Sequence, residues 1–527
     1  MIFDVLAVFK RSITIELTNS ERYYAPSSYS VTVNGKEVLR ASTNVVTVDG
    51  LLPDTTYEIG VKSELDDDLY TASVKTAHES FLLDVTKFGA VGDGVTNNTS
   101  YIQATIAAAP SDATIYIPAG EYLTGPIFLK SDMTLWIDEG AVIKGLTDRS
   151  LYPVLPGVIR DLYDNSKEDI IASWEGNPLD CYASLITAVK CENVDIVGKG
   201  TIDGNADISD WWVDVRKKRG AWRPKLVFIS GCRNVRMQGL SLRNSPSWTV
   251  HPYYSDNVSF IGLNIWNPSD SPNTDGFDPE SCSDVLMAGC RISVGDDCVA
   301  IKSGKLYMAN AHYKPIENVE IRNCLLERGH GSVTIGSEVA CGVRNIHVSQ
   351  CVFDSTDRGV RIKTRRGRGS KSVLEEILFE KITMKNVHMP VTVNMFYFCD
   401  PDGHSSYVQT QEQMPVDYRT PKIGRFTIQD VECIGVDASF ICAYGLPEAP
   451  IERITVKRVD VSFLPEDLRK PQCPIMMDNF ETLSGRSLYL KNVEQLDIED
   501  AVIRGGADNE PTLINVRLFN DEGLKYE

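Results

Sequence analysis

A short pattern that recurs along most of the chain constrains its fold more than any other feature. Each copy begins with an asparagine, an acidic residue or another polar residue, continues with alternating apolar residues, and is followed by a second short apolar stretch. The clearest copies are Asn193–Ile196, Asn234–Met237, Asn257–Phe260, Asp284–Met287, Asn318–Ile321 and Asn345–Val348, with weaker copies at Glu376–Ile377, Arg425–Phe426, Arg453–Ile454 and Gln495–Leu496. Such repetition is typical of a solenoid, in which each repeat packs on its neighbours.

The intervals between copies indicate which solenoid this is. From Val235 to Ile377 the successive spacings are 23, 27, 34, 27 and 31 residues. Irregular intervals fit coils whose strands stay in register while their turns vary in length, and the LxxLxL frame of leucine-rich repeats is absent. We therefore predict an all-β fold, a right-handed parallel β-helix that occupies residues 80–527.

A glycine-rich turn precedes the repeats, at Phe88–Gly94, and a helical pattern follows it at Thr99–Ala109. Such a turn before a helix can bind phosphate, but GxGxxG spacing and a P-loop lysine are both missing here. We predict instead that this helix closes one end of the solenoid.

Residues 1–79 have a different character and are predicted to form a small β-sandwich. Short alternating runs at Ser12–Leu17, Tyr29–Val33, Glu58–Val61 and Thr71–Val74 are separated by turn signals such as Asn34-Gly35. The stretch from Leu52 to Tyr57 resembles the tyrosine corner of fibronectin type III domains. We interpret this domain as a spacer or packing module, with carbohydrate binding as the alternative.

Charge and composition limit the partners and the compartment. A net charge of -19 argues against nucleic acid, and no apolar run is long enough for a membrane span. The first residues make a poor signal peptide, because Asp4 interrupts the apolar stretch and a basic start is missing. The 13 cysteines are odd in number, which favours buried reduced thiols. We expect a cytoplasmic protein, with periplasmic or secreted location as the alternative if a leader has been removed.

Four segments carry chemically capable side chains at intervals of about one coil: Asn273–Asp278, Gly295–Cys298, Gly329–Ser332 and Arg361–Lys363. In a β-helix, residues one coil apart stack roughly 4.8 Å from each other, so these segments are expected to share one face. The offset from the repeat sharpens this expectation, because Asp296 and His330 each follow a repeat valine by 11 residues.

The patch predicted in this way contains the three carboxylates of Asp275, Asp296 and Asp297. Closely spaced carboxylates cannot all ionise freely, so at least one should hold a proton at neutral pH. A protonated acid beside ionised ones is what glycosidic cleavage requires. For Asp278 we favour a structural role, in which it satisfies backbone groups at a turn.

Positive side chains in the same patch suit an acidic sugar. Arg361 and Lys363 would hold a uronate carboxylate, and Lys302 would add to them. These cations also argue against a bound Ca²⁺ ion, and we predict no metal and no cofactor. For Arg365, Arg366 and Arg368 two interpretations stay open, further uronate binding and a solvated basic loop.

Four short segments, read in order, resemble the four signature motifs of glycoside hydrolase family 28, the polygalacturonases. They are Asn273-Thr274-Asp275, Gly295-Asp296-Asp297, Gly329-His330-Gly331 and Arg361-Ile362-Lys363. The resemblance covers about residues 80–505 and implies a pectin-lyase-like solenoid. It also implies an inverting, metal-independent hydrolase of the α-1,4-galacturonosidic bonds of pectin. The fibronectin-like domain and the residues after His330 are similar to those of bacterial exo-acting members.

The resemblance assigns roles to individual residues. It implies that Asp296 is the general acid, that Asp275 and Asp297 activate water, and that His330 supports the acid. The substrate-binding residues that we predict are Asn273, Lys302, Arg361, Lys363 and, by position only, Tyr397.

Exo action requires loops that block one end of the cleft, and the candidates are residues 400–420 and 152–180, the latter containing Trp174-Glu175-Gly176. Three other functions stay open at this point. They are hydrolysis of rhamnogalacturonan, a Ca²⁺-dependent pectate lyase, and polysaccharide binding without catalysis. The oligomeric state is not predicted.

Overall fold

A computed structural model of the protein describes residues 2–64, 68–164 and 167–527. The strands of the N-terminal part are β1 (Phe3–Val8), β2 (Ser12–Leu17), β3 (Tyr24–Val33), β4 (Lys36–Thr43), β5 (Val45–Asp49), β6 (Thr56–Ser63) and β7 (Leu69–Lys75). They form two antiparallel sheets, of which one has the order β1-β2-β5 and the other β4-β3-β6-β7.

Sequence signals in this domain have the structural consequences that were expected of them. Asn34 and Gly35 both have positive φ, 50° and 77°, and they connect β3 to β4 as a two-residue hairpin turn. The amide of Leu52 donates a 2.9 Å hydrogen bond to the Tyr57 hydroxyl, which is the contact of a tyrosine corner. Both sheets contribute to one apolar core, which includes Ile13 and Val31.

The remainder of the chain winds into a parallel β-helix with three sheets. Sheet 1 contains the six clearest predicted repeats, preceded by three strands that were not predicted as repeats. Its strands are Leu82–Asp84, Ala113–Ile117, Met133–Ile137, Glu192–Gly198, Arg233–Gln238, Asp256–Ile261, Ser283–Ala288, Ile316–Arg322 and Val343–Ser349. Sheet 2 contains Asp93–Asn97, Gly120–Thr124, Ala141–Gly145, Thr201–Asp203, Ser241–Arg243, Asn264–Trp266, Arg291–Ser293, Leu325–Glu327 and Val352–Asp354.

Sheet 3 is the face that matters for function. Its strands are Ile127–Phe128, Ile186–Val189, Val227–Ser230, Val250–Tyr253, Val299–Ile301, Val333–Ile335, Arg358–Lys363, Met389–Asn394 and Ser439–Tyr444. In the last coils sheets 1 and 2 run together in longer strands: Val373–Lys385, Arg425–Val436, Ile451–Phe463, Arg486–Arg504 and Thr512–Tyr526. The first residues of Arg486–Arg504 extend sheet 3, and the two-residue strand Lys422–Ile423 pairs with the start of Val373–Lys385.

The other elements are short. Two small hairpins pair Val154–Leu155 with Cys181–Tyr182 and Val158–Arg160 with Glu168–Ile170. The α-helices are Thr99–Ala108, Leu306–Ala311 and Ser406–Gln409, and the 3-10 helices are Val85–Phe88, Arg149–Leu151, Ala206–Ile208 and Glu466–Leu468. None of the described helices is long and apolar enough to cross a membrane.

The repeat register predicted from the sequence is confirmed strand by strand. The apolar residue of each copy pairs with that of the next, in the order Val194, Val235, Val258, Val285, Val319, Ile346, Ile377, Phe426, Ile454 and Leu496. The polar residue that opens each of the six clearest copies has φ between 51° and 56°, a left-handed conformation that asparagine tolerates better than most residues. The predicted parallel β-helix is therefore correct.

Two further features stabilise the solenoid. The first helix, Thr99–Ala108, buries Ile102 and Ile106 in the main core next to Ile115 of the first coils, at the end where the solenoid begins. The N-terminal domain lies along the solenoid rather than beyond its end. Arg322 contacts Glu16 at 2.9–3.1 Å, and the Lys10 ammonium donates to the carbonyl of Asp112 at 2.6 Å.

Candidate active site

The outer face of sheet 3 carries two columns of side chains that the strand register defines. One column runs His251, Asp278, Ala300, Thr334, Arg361 and Thr392, and the other runs Tyr253, Glu280, Lys302, Gly336, Lys363 and Asn394. The loops that lead into sheet 3 lie beside these columns. Each of these loops runs from sheet 2 to sheet 3. Asp275, Asp296 and His330 lie near the ends of their loops, just before the chain enters sheet 3.

The predicted aspartate cluster forms. Carboxylate oxygens of Asp275, Asp296 and Asp297 all lie within 4.8 Å of one another. Gly276 donates its amide to the carbonyl of Asp297, so Asp275 stacks on Asp297. The cluster is the one that the motif spacing predicted.

Asp297 is the carboxylate held by the predicted cations. Arg361 Nη1 and Lys363 Nζ donate to its two oxygens at 2.9 Å each, and all three side chains are buried. Burial opposes ionisation, but Lys363 and Arg361 outweigh it and hold the pKa of the Asp297 carboxyl well below its usual range. Asp297 is therefore ionised and suited to act as a base.

Asp275 has the opposite electrostatic environment. Burial, together with the neighbouring Asp278 and Asp296, raises the pKa of the Asp275 carboxyl well above its usual value, and Lys302 opposes this only in part. This direction favours Asp275 as the carboxyl of the cluster that holds a proton, and the protonation of one carboxyl stays a prediction.

Lys302 organises the end of the site opposite Arg361. Its ammonium lies 3.4 Å from Asp278, 3.5 Å from Glu338 and 3.9 Å from Asp275. The ammonium also lies 4.6 Å from the centre of the Trp248 ring. Burial raises the pKa of the Asp278 carboxyl to about 7. Burial also opposes ionisation of Glu338, but Lys302 and the cations near it outweigh burial and lower the pKa of Glu338 to about 2.

The expectation that Asp278 serves backbone groups at a turn is wrong. It is fully buried on the sheet, and within the described residues neither of its carboxylate oxygens makes a hydrogen bond. Glu338 was not predicted to be a site residue. Its position in the sequence gave a signal, because Glu338 lies two residues after Gly336. Gly336 occupies the place between Lys302 and Lys363 in their column.

His330 and Asp296 lie at the more open edge of the cluster. The amide of His330 donates to the carbonyl of Asp296 at 2.9 Å, which confirms the predicted stacking of these two positions. His330 is exposed and Asp296 is half-buried, while Asp275 and Asp297 are buried. Asp296 is therefore the most accessible carboxyl of the three.

The other predicted binding residues lie around the cluster. Asn273 is half-buried and its side-chain oxygen accepts a hydrogen bond from Arg223, a cation that sequence reasoning missed. Tyr397 is half-buried, and the Lys363 ammonium lies 5.3 Å from the centre of its ring. Tyr397 also lines a narrow pocket together with Arg361 and Met476. The structure brings all nine predicted residues to one face.

Of the two interpretations offered for the next three arginines, the solvated basic loop is wrong. Arg365, Arg366 and Arg368 are buried, so they do not form a solvated loop. Their guanidinium groups also have protein partners already. Arg365 and Arg368 pair with Asp400 at 3.0 and 2.7 Å, and Arg366 pairs with Glu448 at 2.6 Å.

The aspartate oxygens are close enough to share a cation, and no other described group of three metal-binding side chains is. Arg361 and Lys363, however, already bring two positive charges to within 2.9 Å of Asp297. A divalent ion at the same place would be repelled by them. The cluster with its two cations therefore suits a sugar carboxylate, which Arg361 and Lys363 attract, better than a metal ion.

One end of the face is closed by a tight turn in which Trp174 and Asn177 exchange backbone hydrogen bonds. We call residues 174–177 the Trp174 hairpin. The Trp174 ring stacks between Trp222 and Trp248, at 5.0 and 6.3 Å between ring centres. Gly176 has φ of 73° and a side chain there would collide with Glu338, so the hairpin crosses sheet 3 to that side chain. Residues 165–166 of the predicted blocking segment lie outside the described residues.

Comparison with known proteins agrees with this geometry. A grapevine protein (Vitis vinifera) named "Probable polygalacturonase" is 34% identical over 343 residues, which are 64% of this chain and 66% of that protein. The "Exo-poly-alpha-D-galacturonosidase" of Dickeya chrysanthemi is 26% identical over 73% of this chain and 69% of its own length. The chain thus spans about two thirds of the length of these curated relatives.

A solved structure and a family model complete the comparison. The crystal structure of a hyperthermoactive exopolygalacturonase from Thermotoga maritima is 26% identical, with a TM-score of 0.65 over 80% of this chain and 91% of that one. The model of "Glycosyl hydrolases family 28" matches residues 109–413, more than half of the chain. The chain therefore belongs to glycoside hydrolase family 28.

Proposed function

We propose that this enzyme hydrolyses the α-1,4-galacturonosidic bonds of pectin-derived galacturonides and that it acts from a chain end. The observation that carries the proposal is the joint position of three aspartates and two cations, with Arg361 and Lys363 both 2.9 Å from Asp297. Carboxyl groups supply the acid and base for glycosidic cleavage, and buried cations supply a binding site for a uronate.

The geometry supports the following chemistry. Asp296 donates a proton to the glycosidic oxygen while the bond from that oxygen to the anomeric carbon breaks, and a water molecule attacks the anomeric carbon. Asp297, which is ionised, accepts a proton from this water. Asp275 has by then passed its own proton to Asp296, the acid, and it helps to hold the water as a second carboxylate. The exposed His330, which stacks on Asp296, positions the acid.

The stereochemical course deserves a direct measurement. Family resemblance implies inversion, whereas the oxygen separations within 4.8 Å are shorter than the roughly 6.5–9.5 Å that is usual for inverting glycosidases. We propose inversion because Asp275 and Asp297 stack on each other in adjacent coils, so both can hold one water molecule. For an α-linked substrate the first product is then the β-anomer of galacturonate.

Action at a chain end is supported by the Trp174 hairpin. Its tryptophan is only 5% exposed, and Gly176 accepts a 2.9 Å hydrogen bond from the amide of Lys305 on the opposite side of the face. A polysaccharide that continued past Lys302 would collide with this hairpin. The cleft therefore admits a chain end and excludes the interior of a chain.

The proposal is tested by incubating the protein with polygalacturonate, oligogalacturonides and rhamnogalacturonan, in parallel with a chelator and with added Ca²⁺, and resolving the products over time. We expect monomeric galacturonate from the first time points, as the β-anomer in NMR spectra, and no absorbance from unsaturated product. A ladder of oligomers would contradict action at a chain end, and α-galacturonate would contradict inversion. Product from rhamnogalacturonan alone, or unsaturated product that needs Ca²⁺, would replace the proposal with the corresponding alternative.

We also propose a cytoplasmic location. The support is that all 13 cysteines are free and 11 of them are buried, while only Cys399 and Cys473 are exposed. Free thiols persist in a reducing compartment. Fractionation of the source cells with an antibody against the chain tests this, and recovery in the medium or the periplasm would overturn it.

A further inference from the structure

The end of the cleft beyond Arg361 and Lys363 is covered by a second loop, which the sequence did not reveal. We call residues 472–483 the roof loop. Gln472 and Leu483 close its base by exchanging backbone hydrogen bonds at 3.0 and 2.8 Å. Ile475 and Met477 are buried in the main core of the solenoid. This loop is therefore fixed to the core like the strands beside it.

The roof loop lies directly on the next coils of sheet 3. The carbonyl of Met476 accepts a 3.0 Å hydrogen bond from Asn394, and its sulfur lies 3.1 Å from Arg361 Nη2. The Phe480 ring packs edge-on against Tyr444, with 4.9 Å between ring centres. Asn394 and Tyr444 are the two positions that follow Lys363 in its column. The face that a longer sugar chain would use is occupied by protein.

Across the face, the roof loop reaches the opposite wall. The amide of Asp478 donates to the side-chain oxygen of Gln409 at 3.0 Å, and its carboxylate lies 2.8 Å from His404 Nδ1. Gln409 belongs to the short helix Ser406–Gln409 in the segment 400–420, which was predicted to block the cleft. That segment therefore does limit the cleft, by supporting the roof loop at the end away from Trp174.

Between the Trp174 hairpin and the roof loop only a short length of the face remains. From Asp278 to Arg361 the column advances by three coils, which is about 14 Å at the usual strand spacing. In this interval His330 is exposed and Asp296 is half-buried. The site is thus a pocket that opens at the His330 edge, closed at both ends of the solenoid axis.

We propose that the enzyme acts on short galacturonides that fit between the Trp174 hairpin and the roof loop, above all the disaccharide, and discriminates against the polymer. This inference rests on the proposed function. In an open groove each further sugar residue gains contacts and can increase kcat/KM. Here a third residue beyond Arg361 meets Met476 and Asn394, which already satisfy each other, so added length brings no further binding.

The test compares kcat/KM for digalacturonate, trigalacturonate, pentagalacturonate and polygalacturonate, each expressed per chain end. We expect the disaccharide to be the best substrate and the polymer to be at least about tenfold poorer, a difference of roughly 1.4 kcal/mol. A value of kcat/KM that rises from disaccharide to polymer would overturn the inference while leaving the proposed function intact. Absence of turnover with every galacturonide would instead refute the proposed function.

A variant pair identifies the cause. The double substitution Met476→Ala and Asp478→Ala removes the side chain over Arg361 and the contact with His404, and leaves Ile475 and Met477 in the core. We expect the preference for the disaccharide over trigalacturonate to fall severalfold. The matched control is Arg425→Ala, which breaks an exposed ion pair with Glu452 on the solenoid surface. A folded double variant with the wild-type preference would contradict the role of the roof loop.

Discussion

A buried ion pair beneath the 400–420 segment provides the sharpest test of one interpretation, namely that Arg366 is a buried structural cation. Arg366 donates to both oxygens of Glu448, at 2.6 and 2.9 Å, and each side chain is about 1% exposed. The same guanidinium donates to the carbonyl of Thr410 at 2.7 Å, and at 3.3 Å to those of Tyr407 and Val408. Removing Glu448 would leave this charge buried without a counterion.

The expected magnitude follows from the distances. Two unit charges 2.9 Å apart interact by about 6 kcal/mol at an effective dielectric constant of about 20, which is an upper bound. Breaking one partner of a buried pair typically destabilises a protein by about 3–5 kcal/mol. We therefore expect Glu448→Ala to lower the free energy of unfolding by about 3–5 kcal/mol, and Glu448→Gln, which keeps an acceptor for Arg366, to lower it less.

The assay is urea denaturation at neutral pH, combined with hydrogen exchange of the helix Ser406–Gln409, because a solenoid can unfold locally. The control is Glu499→Ala, which breaks an exposed pair with Lys457 and should cost less than about 1 kcal/mol. If Glu448→Ala cost no more than this control and exchange in the helix were unchanged, the interpretation of Arg366 as a buried structural cation would be refuted.

Three further predictions concern the site itself. Asp296→Asn should abolish turnover with little loss of substrate binding in calorimetry, and an active variant would remove Asp296 from the role of acid. Trp174→Ala should cost about 3–5 kcal/mol of stability and allow oligomers to appear among the products, whereas the exposed Trp266→Ala should do neither. Finally, KM should rise as the pH increases through about 7, because ionisation of Asp278 then places a negative charge beside Lys302, and a KM that is constant from pH 6 to 8 would contradict this.

The fold could be predicted because the information was local and repeated. Each of the six clearest copies places its first polar residue at a left-handed turn and its next apolar residue in the core, as Asn257 and Val258 do. Asparagine side chains also pair along this edge, as Asn257 does with Asn234 at 2.7 Å. A pattern set by backbone conformation and core packing can be read without knowing which coil contacts which.

The candidate site was predictable to the same extent as its register. His330 stacks on Asp296 because both follow a repeat position by the same number of residues. Glu448 and Met476, in contrast, contact Arg366 and Arg361 from distant loops, and nothing near these residues in the sequence specifies that contact. The buried arginines and the roof loop could not be inferred for this reason.

The net charge of -19 and the proposed acidic substrate are compatible because protonation acts locally. Asp297 and Glu338 are ionised, with pKa values held low by Lys302, Lys363 and their neighbours. Asp275 has a pKa raised by burial and by nearby carboxylates, so it retains its proton. Burial therefore reduces the negative charge of the cluster, whereas Lys302, Lys363 and Arg361 contribute positive charge. The pocket can accept a uronate carboxylate that the surface of the protein would repel.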